Sequence, residues 1–67
     1  MNLRKEFTEP ECEKFRRECN FTPWERRVFD LAVKDHSRVE ISMELMMSVA
    51  TVDRHISAIK RKILKVL

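Results

Sequence analysis

Residues 37–63 read SRVEISMELMMSVATVDRHISAIKRKI, and two helices of unequal length are written into them. Ser37 followed three residues later by Glu40 is a capping box: the hydroxyl can take the backbone N–H of Glu40 while the carboxylate reaches back to the N–H of Ser37. A short helix over 38–46 follows, with Ile41, Leu45 and one or more of Met43 and Met46 turned inward. Methionines at helical spacing are read here as core filler. Ser48 is the next cap, with Met47 and Val52 placed to staple across it. Beyond it Val52, Ile56, Ile59, Ile63 and Val66 recur at intervals of three and four, the buried stripe of a helix over 49–66.

The other side of that last helix is unusual. At about 100° per residue it carries Ala50, Arg54, Ser57 and Arg61, flanked by Asp53, Ala58, Leu64 and Lys65. Its first turns are small or able to hydrogen-bond, so a polar surface such as the edges of base pairs could be approached closely. Its basic residues gather toward the C-terminal half, where phosphates could be met.

Upstream, two more start signals have the same form. Thr8 with Glu11, and Pro10 between them, opens a helix near 9–19 whose inner face is Cys12, Phe15 and Cys19, with Phe7 placed to staple onto Cys12. Asn20 is its stop. Thr22 with Glu25, and Pro23 at the favoured first position, opens a helix near 23–34. Trp24, Val28, Phe29, Leu31 and Ala32 form its apolar stripe. The 67 residues thus read as one all-α domain of four helices, a helix-turn-helix domain with an extra N-terminal helix: residues 1–20 carry that helix and 21–67 the core.

Composition supports this and excludes several functions. The chain has no Gly and only two Pro, which favours helix and rules out Gly-rich phosphate-cradling loops. No apolar run approaches a membrane span or a leader's core, so a cytoplasmic protein without a membrane partner is expected. Cys12 and Cys19, seven residues apart on a helix, would stand about 10 Å apart, beyond disulfide reach. They read as buried apolar groups, and no metal set or other cofactor site accompanies them. No acid–base or nucleophile–base pair stands at workable spacing, so an enzyme is not expected. The charge is unevenly placed. Residues 1–47 hold nine Lys or Arg against ten Asp or Glu, whereas residues 48–67 hold Arg54, Lys60, Arg61, Lys62 and Lys65 against Asp53 alone. That is the footprint of a polyanion-binding element, or of a solvated helix face that happens to be basic.

The residues Phe21-Thr-Pro-Trp-Glu25, Val28, Phe29, Leu31, Ser37, Glu40, Ile41, Leu45, Ser48, Thr51, Val52, His55, Ile59, Lys62 and Ile63 resemble, without a gap, the LuxR-type helix-turn-helix pattern. Region four of bacterial sigma factors shares much of that pattern. The resemblance implies that the helix from Arg38 supports and the helix from Val49 recognises DNA, with contacts from Asp53, Arg54 and Ser57. It implies a transcription regulator or a minimal sigma-like factor. Arg54 would then be the principal base reader, Ser48 and Thr51 would bond phosphates or cap the helix, and Ser57, Lys60, Arg61 and Lys65 would add secondary contacts beside Ala50. His55 reads as a packing residue at the edge of the stripe. Three departures stand out. Asp35 replaces a usual Gly in the loop before Ser37. Asp53 replaces a frequent Lys, where it could accept a hydrogen bond from cytosine N4 or mark the loss of DNA binding. The family's dimerising helix has no counterpart before Leu67, so self-association through Leu64 and Leu67 with the first helix is expected in its place; on the helical projection Leu64 should be exposed and Leu67 accommodated at the core edge. The alternative function is a protein-interaction module of helix-turn-helix shape, binding a regulator or RNA polymerase.

Overall fold

The computed structural model describes residues 7–67; residues 1–6, the start of the expected N-terminal segment, lie outside the described residues. The described residues form α1 (Glu9–Glu18), α2 (Pro23–Val33), α3 (Arg38–Glu44) and α4 (Val49–Val66), with no strand among them. Each helix opens on its expected cap. Thr8, Thr22 and Ser37 close reciprocal capping boxes, the cap N–H donating to Glu11, Glu25 and Glu40 at 2.9, 3.0 and 2.8 Å. The Ser48 hydroxyl accepts the Thr51 N–H at 3.1 Å.

Helix ends are where sequence and structure part. Glycine is the usual residue for the left-handed turn that closes a helix, and this chain has none. Asn20, Asp35 and Met46 take its place at φ 55°, 73° and 55°. After α2 the His36 N–H donates to the Leu31 carbonyl (3.2 Å) and the Asp35 N–H to Ala32 (3.1 Å). After α3 the Met47 N–H donates to Ser42 (3.0 Å) and the Met46 N–H to Met43 (3.4 Å). Both are Schellman closures. The second ends α3 at Glu44 rather than near 46, and it corrects the reading of the methionines. Met46 sits in the turn with 92% of its surface exposed, and Met43, about 200° around the helix from the buried Ile41, is 73% exposed.

Val28 and Phe29 of α2, Ile41 of α3, and Val52, Ile59 and Ile63 of α4 form the centre of the core, with Cys12, Phe15, Cys19 and Ala32 beside them. The stripe on α4 meets all three other helices, and Ile56 and Val66 pack at its margin. Two other expectations are corrected. Trp24 is 47% exposed, its ring shielded by the Arg27 guanidinium 5.3 Å from its centroid rather than by the core. Leu67 is 71% exposed, because it lies past the last turn of α4.

The N-terminal helix is bound in by its inner face. Phe7 meets Phe15 edge-on at 4.7 Å between centroids. Arg16 donates from Nε to Asp30 at 2.8 Å while its guanidinium lies over Phe29. Cys12 and Cys19 are free and buried, and burial pushes both thiols up, with neighbouring carboxylates adding to the effect. They are neutral filler.

Candidate nucleic-acid interface

Residues 45–48 join α3 to α4. Ser42 is buried, and its hydroxyl is satisfied by donating to the Val39 carbonyl at 2.7 Å. Val52 of α4 is fully enclosed. With this side of α4 committed to the core, the other side is turned outward. Ala50, Arg54, Ser57 and Arg61 are exposed, and together with Asp53 they line one shallow, open depression.

The structure sorts the remaining expected site residues by position. Ser48 and Thr51 stand at the N-terminal end of α4 and bond one another, Oγ to Oγ1, at 2.9 Å, so the capping role expected of Ser48 is filled. Arg61 also belongs to a second depression, further along the helix, lined by Ala58, Lys62, Leu64 and Lys65. Lys60 is half-buried and lines neither. His55 is half-buried beside the stripe.

Two pairings escaped the sequence reading. The first joins α3 to α4: Arg38 Nη1 lies 3.1 Å from Asp53 Oδ2 and 3.4 Å from Oδ1. No local pattern signals it, since the partners are 15 residues apart. The second fixes the far end of α4. Lys62 Nζ donates to Glu25 Oε1 and, at 3.3 Å, to the Asn20 carbonyl. Glu25 is buried. Burial alone would raise its carboxyl, but the Lys62 ammonium and the Thr22 N–H outweigh that and hold it below the usual carboxylate range. Both residues belong to the pattern quoted above, so a trace of this contact was present in the sequence.

A short supporting helix, a tight turn, and a longer helix with one committed and one open face define a helix-turn-helix domain. Residues 19–66 match the family model described as bacterial regulatory proteins, luxR family. The chain belongs to that family. Its members are DNA-binding transcription regulators rather than enzymes. Comparison with curated proteins and with solved structures returned no significant match. No helix among the described residues is long and apolar enough to cross a membrane.

Proposed function

We propose that this protein binds duplex DNA sequence-specifically, with α4 lying in the major groove. The observation that carries the reading is that Ala50, Arg54, Ser57 and Arg61 share one open depression on the side of α4 away from the buried stripe. Ala50 leaves room for a base edge. The Arg54 guanidinium reads a guanine, for which a bidentate fork is the usual partner, and Ser57 adds a hydrogen bond one turn on. Ser48 and Thr51 meet a phosphate at the start of the helix, while Lys60, Arg61 and Lys65 meet the backbone farther along. A second copy pairs through Leu64 and Leu67, which are 61% and 71% exposed.

Selection of bound fragments from random duplex DNA would supply the site. On it, Arg54→Ala should lose about 1–3 kcal/mol and relax one base position. Lys65→Ala should weaken all sequences alike and reduce the slope of log affinity against log salt by about 1. An Arg54→Ala protein with unchanged affinity and base preference would move the reading face elsewhere.

A further inference from the structure

Asp53 is the only acidic residue in residues 48–67, and it lines the depression assigned above to DNA. Alone, a carboxylate there would repel the phosphate backbone. It is not alone: both of its oxygens face Nη1 of Arg38, the first residue of α3. The pair contributes little to stability, because the two side chains are 62% and 45% exposed and surface ion pairs are worth at most about 1 kcal/mol. What it does is geometric. A guanidinium has five N–H donors in a rigid fork, and Asp53 engages only Nη1, so Nε and Nη2 make no hydrogen bond among the described residues. Asp53 thereby holds a long side chain from the supporting helix at the rim of the reading face, with its remaining donors unbonded among the described residues.

We propose that Arg38 is a phosphate-contacting residue of the DNA interface and that Asp53 is its positioning residue, rather than a reader of cytosine. The proposal rests on the DNA-binding reading above. The carboxylate and a backbone phosphate share one guanidinium, each taking a different edge of the fork. The charge of Asp53 is neutralised where it would otherwise repel, and the Arg38 contact is fixed in register against Arg54, the next residue along the recognition helix from Asp53.

The test is a double-mutant cycle on duplex binding, followed by fluorescence anisotropy of a labelled duplex over a range of salt. It uses the full chain as wild type, Arg38→Ala, Asp53→Ala and both together, with Arg54→Ala as the control for the interface itself. Arg38→Ala should weaken binding about tenfold or more and lower the salt slope by about 1, since a phosphate contact is lost and a carboxylate is bared. Asp53→Ala should strengthen binding severalfold in the Arg38→Ala background and give no strengthening when Arg38 is present. That dependence on background is what a merely exposed acid would not show. Melting temperatures of the variants should stay within a few degrees of wild type, because the pair is exposed. The proposal is overturned if Asp53→Ala strengthens binding by the same factor in both backgrounds, or if Arg38→Ala leaves affinity and slope unchanged while Arg54→Ala reduces them. If wild type shows no salt-dependent binding to any duplex, the DNA-binding reading falls, and this assignment falls with it.

Discussion

Met46 is the residue with the least local justification for its conformation. Asn and Asp tolerate the left-handed region because their short polar side chains bond locally; a side chain such as Met incurs roughly 1–2 kcal/mol there. Asn20 and Asp35 were therefore readable as turn residues from their chemistry, whereas Met46, apolar and one step from Met47, read as the last core position of a helix. What overrides that reading is the closure of α3 by the Met47 and Met46 N–H groups, together with the seating of Met47 against the core. Met46→Gly should relieve the strain. Part of the gain is given back, because glycine has more freedom in the unfolded chain. A net stabilisation of about 0.5–1 kcal/mol remains, visible as a rise of a few degrees in melting temperature. An unchanged or lower melting temperature would mean that the methionine side chain contributes more to this turn than its 92% exposure suggests.

Among the elements, the helices themselves were legible because every start is a four-residue chemical event. Thr8, Thr22, Ser37 and Ser48 and the partners that bond them are all local. Contacts between elements were not, and the Glu25–Lys62 pair shows why: its members are 37 residues apart, and each has an adequate local explanation, one as a cap partner and one as a basic residue on a basic helix. Only the packing of α2 on α4 gives them a joint role. Lys62→Met should destabilise the fold by about 1–3 kcal/mol at neutral pH, since a buried carboxylate loses its charged hydrogen-bond partner. The pH dependence has a definite sign. A carboxyl held below its unfolded value contributes stability above that value, near 4.3, and loses it as pH falls through the lower folded value. Denaturant unfolding of wild type and variant should therefore show a gap that narrows from neutral pH toward about pH 3. A gap that stays constant would assign the loss to the packing of the lysine stem alone.

At the scale of the whole molecule, the charge is distributed as the sequence led one to expect, with the basic excess on α4. The apolar residues left outside are more numerous than expected: Leu64 was expected to be exposed, but Leu67 and Trp24 were not, and of Met43 and Met46 at least one was expected inside. If Leu64 and Leu67 join two copies, sedimentation velocity of wild type should show mass rising with concentration, while Leu64→Glu stays monomeric and binds a two-half-site duplex more weakly. A wild type that remains monomeric at all concentrations, with Leu64→Glu equal to it on DNA, would remove the interface. The division of α4 into a stripe that meets every other helix and a face that meets α3 only through the Asp53–Arg38 pair has one further consequence. Ala50, Arg54, Ser57 and Arg61 support nothing beneath them, so exchanging them costs the fold little. If this face reads DNA as proposed, operator preference is free to drift by single substitutions, and α4 offers a surface onto which a different specificity can be grafted while the scaffold stays as it is.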